Sequence, residues 1–246
     1  MDQIGVLRPD RGRPDAAGPP LRHLLKHVLM LAVGLALSAP GVLAQDREAL
    51  PRDDTQMWNE VQAAAKVGRN LDWITSGMIR FGKNVSDLIY ERFFSGVSFR
   101  AGRHFSAASY YGYYALQPSE HRDIREHRLS LDGTVRWSLG RFLLSDRNRF
   151  ERRFFASGAR ANRYRNRLQI EHPLEVGRWS ARLFISDEVY YEAALNCWAR
   201  NRFSAGAGYP IGKRFELEIY YLKQNDGYVR PGNLNVIGTN FRISIF

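Results

Sequence analysis

The chain has 246 residues, a formal net charge of +11, 44% hydrophobic and 25% charged residues, and one cysteine, Cys197. A single cysteine excludes an internal disulfide framework, so an exported fold of this size would need a real core or a closed sheet. A basic chain can bind nucleic acid. Here the charges alternate with apolar residues along predicted strands, and we therefore expect no nucleic-acid partner.

The first feature along the chain is the apolar run 28–37, VLMLAVGLAL. Arg22 and Lys26 precede this run, and small residues surround Ala44 after it. A basic flank, a short apolar core and small residues are typical of a secretory signal peptide. The run is about half as long as a membrane-spanning helix requires. The pattern therefore favours export, with an uncleaved anchor as the alternative.

We predict cleavage between Ala44 and Gln45. Residues 1–44 would then be an N-terminal extension and signal peptide, and residues 45–246 a single exported domain. Residues 1–21 do not resemble signal sequence, which leaves either a further extension or a start codon placed too early.

Beyond the leader, apolar and polar residues alternate in about eleven segments, as in Glu126–Trp137, where every second residue is polar. A strand points successive side chains to opposite faces, so this alternation predicts β-strands. The segment lengths match the roughly 9–11 residues that a tilted strand needs to cross a bilayer. The predicted strands are Gln56–Lys66, Leu71–Gly82, Leu88–Ala101, Phe105–Leu116, Arg125–Trp137, Phe142–Phe155, Arg163–His172, Trp179–Tyr191, Arg200–Tyr209, Phe215–Gln224 and Asn233–Phe246.

Short connections such as Val67–Asn70 alternate with longer ones such as Gln117–Ile124. Outer-membrane barrels have short periplasmic turns and longer external loops. The sequence therefore predicts an all-β fold for residues 45–246, an antiparallel up-and-down transmembrane β-barrel of about ten to twelve strands, in the bacterial outer membrane. The first and last segments would run the same way, which conflicts with an even strand count. A first segment inside the barrel, an extra strand from Gln45–Thr55, or a miscount would each resolve this.

The charged faces should point into the lumen, because an Arg facing lipid at mid-bilayer costs about 2–4 kcal/mol. We predict a lumen charge network of Arg128, Asp132, Arg147, Arg149, Glu151, Arg153, Arg163, Arg165, Arg167, Glu171, Glu188, Glu216 and Glu218. The alternative is a soluble periplasmic binding barrel, with the charged side chains on the outside and the apolar side chains inside. Asp146, Asn148 and Arg152 fall on the outward face, where polar residues are not expected. A bulge, a site of thinned lipid or misplaced strand limits could each explain them.

The closing strand places Phe241, Ile243 and Ile245 on one face and ends at Phe246. An alternating apolar strand that ends on Phe resembles the signal recognised by the outer-membrane assembly machinery. The apolar set here is one position out of the usual register. We expect that machinery and outer-membrane lipid to be partners.

Several short motifs together resemble a family of proteobacterial outer-membrane β-barrels known only as a domain of unknown function. They are Thr55–Gln62, Glu126–Leu129, Asp146–Phe154, Arg163–Leu168, Ser186–Tyr190, Asn201–Tyr209 and the closing strand. The resemblance covers nearly all of residues 55–246. It implies location and architecture, and it supplies no catalytic residues.

The mature chain contains His104, His121, His127 and His172, and no two of them have metal-ligand spacing. Ser130 and Glu126 are close to His127 in sequence, but on a strand His127 faces away from both. We therefore expect no catalytic residues, no metal and no cofactor. The alternative is a membrane-embedded, lipid-modifying enzyme.

Arginines on neighbouring strands should lie side by side, so carboxylates or bound anions must answer them. A salt-bridged core that fills a small barrel is one interpretation. A narrow, porin-like, anion-favouring pore is the other, with small anionic solutes as its partners. The sequence leaves a structural role and a pore role open.

Overall fold

The computed structural model of the protein describes residues 51–119, 122–176 and 179–245. Within these ranges the chain forms eleven strands. They are β1 (Asp53–Lys66), β2 (Leu71–Gly82), β3 (Asp87–Ala101), β4 (Phe105–Ser119), β5 (Arg122–Leu139), β6 (Phe142–Phe155), β7 (Arg160–Val176), β8 (Trp179–Glu192), β9 (Cys197–Ile211), β10 (Phe215–Asp226) and β11 (Asn233–Ile245). The predicted all-β architecture is confirmed, and the bounds of β2 and β6 match the prediction at both ends.

Some predicted features lie outside the described residues. They are the signal-peptide region 1–44, the cleavage position at Ala44 and Gln45, and the terminal Phe246. The described part of the chain contains no helix long and apolar enough to cross a membrane.

The strands close into a barrel in which each pairs antiparallel with the next, and β1 pairs with β11. The closing pair is parallel, with Asp53 opposite Asn233 and Ala65 opposite Ile245. An odd number of alternating strands requires this, because the first and last then point the same way. None of the three sequence-based explanations was needed: β1 is a full barrel strand, and Asp53–Thr55 belong to it.

The two faces of the strands differ as the alternation predicts. In β5, Glu126, Arg128 and Ser130 are buried, whereas Leu129 and Leu131 are 41% and 51% exposed. The same holds on β8, where Glu188 is buried and Ile185 is 47% exposed. The polar faces therefore form the lumen, and the apolar faces form the outer wall.

The outward polar residues of β6 have cross-strand partners. The Asn166 amide donates to Asp146 at 2.6 Å, and Arg152 donates to the side-chain oxygen of Asn162 at 2.7 Å. Asn148 accepts a hydrogen bond from the Tyr164 hydroxyl. The pairing of β6 with β5 and β7 shows no register shift. Neither a bulge nor wrong strand limits explains these residues, which form a hydrogen-bonded polar ladder on the outer wall.

The predicted contrast between short and long connections is smaller than expected, because strand pairing continues into the expected loops. The segment Gln117–Ile124 consists largely of the ends of β4 and β5. The longest connection is 227–232, between β10 and β11. We call the end of the barrel that carries this connection the loop end, and the opposite end the turn end.

Candidate functional site

The lumen holds all thirteen residues of the predicted charge network. Each is buried or half-buried: Arg128, Asp132, Arg147, Arg149, Glu151, Arg153, Arg163, Arg165, Arg167, Glu171, Glu188, Glu216 and Glu218. Twelve of these side chains make ion pairs with lumen residues. Arg167 is the exception.

The register of β6 and β7 places like charges together. Arg147 is opposite Arg167, and Arg149 is opposite Arg165. We call these four residues the arginine square. Like charges in facing positions destabilise a pair of strands unless nearby anions neutralise them. The flanking strands supply those anions, because β5 carries Asp132 and β8 carries Glu188 on the lumen face.

Glu151 is the most deeply buried acid of the network, with 0% of its surface exposed. Its carboxylate accepts a hydrogen bond from Arg165 Nη1 at 2.8 Å. Two further guanidinium nitrogens lie at 3.5 Å, from Arg163, and 3.8 Å, from Arg128. A buried carboxylate of this kind is favourable only when charges of opposite sign surround it closely.

A second group of pairs lies nearer the loop end. Glu126 pairs with Arg128 and with Arg153, the latter at 2.7 Å. Glu192 pairs with Arg163 at 2.5 Å and with Arg153 at 3.7 Å. Each of these arginines therefore contacts two carboxylates, and the network is continuous across β5 to β8.

A third group lies at the turn end and connects strands that are distant in sequence. Arg182 pairs with Glu171 at 3.0 Å and with Glu218 at 2.9 Å. Glu216 contacts both Arg182 and Arg242. The Arg242 and Glu216 side chains are 37% and 31% exposed, so this end of the lumen is wetter than the other.

Two buried arginines are held by aromatic rings in place of carboxylates. The Arg80 guanidinium lies 3.8 Å from the Trp58 ring centroid and 4.0 Å from that of Tyr90. Arg202 donates to the Tyr190 hydroxyl at 2.6 Å and lies 4.9 Å from the Trp58 ring. Desolvated cation–π contacts of this kind are worth about 2 kcal/mol each.

Apolar and polar side chains together seal the lumen towards the loop end. Trp58 packs against Leu222, Leu234 and Val236, and the exposed fractions of Trp58 and Val236 are 2% and 0%. Tyr190 is 1% exposed. A second cluster consists of Met78, Ile89, Tyr90 and Tyr114. We call these residues the plug.

Two carboxylates fasten the connections of the loop end. Asp54 accepts hydrogen bonds from the backbone of Lys83 and Asn84 at 3.1 and 2.8 Å. Asp226 accepts one from the backbone of Tyr228 at 2.8 Å. Two of the connections at the loop end, 83–86 and 227–232, are therefore tied to lumen residues.

Below the plug, towards the turn end, the lumen contains a cavity of about 590 Å³. Ten arginines and six carboxylates line it, so its wall carries a surplus of four positive charges. The cavity extends to Arg182, Glu216 and Arg242, the half-exposed groups of the turn end. It is thus a cationic chamber that is open on one side.

The sequence prediction missed lumen residues on the first three strands. Glu60 of β1 pairs with Arg92 of β3 at 2.6 Å and accepts a hydrogen bond from Ser76. Trp58, Met78 and Phe94 interrupt the polar residues on these lumen faces and obscure the alternation. On β1 the available signal was Asp54, Gln56 and Glu60, which occupy alternate positions with Trp58 between the last two.

The structure shows no metal centre in the part of the chain that it describes, where no group of three or more His, Cys, Asp or Glu side chains could hold an ion. The His127 ring stacks on Tyr111 on the outer wall, with ring centroids 5.6 Å apart. His172 lies beside Phe142, and the His104 ring contacts the backbone of Arg136.

The closed sheet and its charged interior define a class: this is a β-barrel protein with a polar, partly filled lumen. The particular family follows from the sequence. A family model described as "Protein of unknown function (DUF2490)" matches residues 55–233, and the chain belongs to this family. The predicted membership of a domain family of unknown function is thereby confirmed. A search of curated proteins gives no match.

Proposed function

We propose that the protein is a bacterial outer-membrane β-barrel without a catalytic role. In this proposal the lumen is closed at the loop end, and its cavity receives small anionic solutes from the turn end. The observation that carries the proposal is the combination of an apolar outer wall with a charged interior.

The outer wall exposes large apolar side chains on every side of the barrel. Phe93 is 58% exposed, Leu131 51%, Ile185 47%, Ile219 52% and Ile237 61%, and these residues lie on five different strands. Soluble proteins rarely expose a contiguous apolar surface larger than a few hundred Å². A hydrocarbon environment would cover this surface, and the closed sheet leaves no strand edge unpaired within it.

Outward aromatic residues near the strand ends support the same environment. Trp73, Phe105, Phe142 and Phe215 are 41% to 48% exposed near the turn end. Trp198 lies near the loop end, where it contacts the Tyr191 ring. Aromatic side chains favour the two membrane interfaces, because the ring is half buried there and its polar tip is wet.

The plug argues against the narrow anion-favouring pore. A conducting pore needs a continuous water path, and Trp58, Tyr190 and Val236 are at most 2% exposed where that path would run. Arg149 and Arg165, which would set the selectivity of a pore, are both neutralised by carboxylates. The cavity below the plug has the size of a small-molecule site, roughly 300–1,000 Å³. Solute binding therefore fits the lumen better than conduction.

Three measurements on the full chain, produced in a Gram-negative host, test the proposal. We expect the protein in the outer-membrane fraction, with gel migration that changes on boiling, and no steady conductance in planar bilayers. Recovery as a dissolved protein after lysis would overturn the membrane location. A stable anion-selective conductance would overturn the closed lumen, and turnover of labelled phospholipid or lipid A would overturn the non-catalytic role.

A further inference from the structure

One member of the arginine square, Arg167, forms no ion pair with an acid of the described chain. Arg149 makes two hydrogen bonds with Asp132, both at 2.6 Å. Arg165 binds Glu151 at 2.8 Å and Glu188 at 2.9 and 3.0 Å. The Arg167 guanidinium makes no hydrogen bond or ion pair with any residue that the structure describes.

Glu188, which is opposite Arg167 in the register, is already occupied. It accepts hydrogen bonds from Arg147, from Arg165 and from the Tyr190 hydroxyl, the last at 2.8 Å. Two carboxylate oxygens have about four acceptor positions. Arg165 and Tyr190 occupy most of these positions and Arg147 occupies another, so no acceptor position of Glu188 remains for Arg167.

Arg147 is only partly satisfied. Its Nη2 atom reaches Glu188, but its Nε atom is buried without a hydrogen-bond partner, and the same is true of Arg167 Nε. The two residues are neighbours across β6 and β7, and both line the cavity. A buried cationic donor without a partner is costly, so such a pair favours a ligand that brings negative charge.

We propose that Arg147 and Arg167 form a binding site for a small dianionic oxyanion, such as phosphate, sulfate or a phosphate monoester. This site rests on the proposed binding cavity and names its ligand. Guanidinium groups donate two parallel hydrogen bonds to the oxygens of phosphate or sulfate, which a spherical anion cannot accept. A dianion places two negative charges between the two guanidinium groups, of which only Arg147 has a carboxylate partner, whereas acetate places one.

The surroundings of the pair fit such a ligand. Ser145 and Ser186 line the same cavity and offer neutral hydroxyl donors. The site is reached from the turn end, which faces the periplasm if the short turns lie there as in outer-membrane barrels. A cavity of about 590 Å³ also leaves room for an organic group on a phosphate monoester.

Calorimetry on the purified full chain in detergent, in phosphate-free buffer, tests the site with phosphate, sulfate, methyl phosphate, chloride and acetate. We expect the three dianions to bind and the two monoanions to bind much more weakly. Arg167→Gln should weaken phosphate binding roughly ten- to hundredfold, the usual worth of a charged hydrogen bond. Arg167→Lys should bind phosphate with intermediate affinity, because lysine keeps the positive charge but cannot donate the two parallel hydrogen bonds of a guanidinium group.

Arg136→Gln is the matched control, since Arg136 lines the same cavity and donates instead to Ser106 at 3.0 Å. We expect it to keep phosphate affinity. Equal losses in Arg136→Gln and Arg167→Gln would mean that total lumen charge attracts anions, and would overturn the site. Because Arg167 has no partner to lose, Arg167→Gln should remain folded, as shown by unchanged heat-modifiable migration.

The outcomes separate this site from the proposed function. Wild-type protein that is folded and membrane-inserted, yet binds neither phosphate nor sulfate, overturns the anion site and leaves the barrel's location intact. A conducting channel overturns the closed lumen and leaves the binding result standing.

Discussion

Replacement of Glu151 by Gln tests whether the ion pairs of the lumen network are desolvated and stabilise the fold. Gln has nearly the same shape as Glu, so the substitution removes a charge and leaves the packing in place. Glu151 is 0% exposed and has guanidinium nitrogens at 2.8, 3.5 and 3.8 Å. The variant leaves the positive charges of Arg165, Arg163 and Arg128 partly unanswered.

The size of the effect follows from these contacts. The hydrogen bond from Arg165 is charged and contributes about 1.5–3 kcal/mol. The two longer contacts add Coulomb energy, and each arginine keeps one other carboxylate. Loss of one partner from a buried ion pair usually costs about 3–5 kcal/mol, which we expect here. For a chain of this size, that corresponds to a fall in unfolding temperature of roughly 6–20 °C.

Thermal unfolding in detergent, followed by circular dichroism and by heat-modifiable migration, measures this fall. The matched control is Glu216→Gln, because the Glu216 side chain is 31% exposed and shares its arginines with Glu218. The control should cost less than about 1 kcal/mol, as exposed ion pairs do. Equal stability of the two variants would show that water screens the whole lumen, and our account of the network would be wrong.

Three further substitutions probe other parts of the barrel. Gly96→Ala should destabilise the protein by about 1–3 kcal/mol in urea unfolding, because the new methyl carbon would lie 2.0 Å from the Ser109 carbonyl oxygen. Gly77→Ala is the control and should have little effect, because its new methyl carbon has no neighbour within 4 Å; equal effects would contradict the predicted clash. Val85→Gly should stabilise the protein by about 1 kcal/mol in the same assay, because a β-branched residue at φ 69° is strained, and a loss of stability would contradict this. Trp58→Ala should open the plug, give measurable conductance in planar bilayers and lower the free energy of unfolding by about 3–5 kcal/mol. Trp73→Ala should leave the lumen closed, because Trp73 lies on the outer wall and is 48% exposed; absence of conductance in Trp58→Ala would mean that other residues form the seal.

The sequence determined the local part of the architecture. Alternation with period two located the eleven strands and, on β5 to β8 and β10, the face on which the lumen charges lie, because both depend only on near neighbours in the chain. The segment Phe142–Phe155 was placed correctly at both ends for this reason. The polar outward residues of the same strand looked like an error, because their hydrogen-bond partners lie on the next strand.

Tertiary structure decided how the strands meet and which charges pair. The parallel closure of β1 on β11 joins residues 180 positions apart, such as Asp53 and Asn233, and no local pattern encodes that contact. Likewise, Arg182 finds Glu216 and Glu218 across the lumen, while Arg167 lies opposite an acid that three other donors already occupy. The chain thus specified an arginine-rich interior, but only the closed barrel determined which member of the arginine square was left without a carboxylate, because pairing depends on distances across a lumen that exists only after closure.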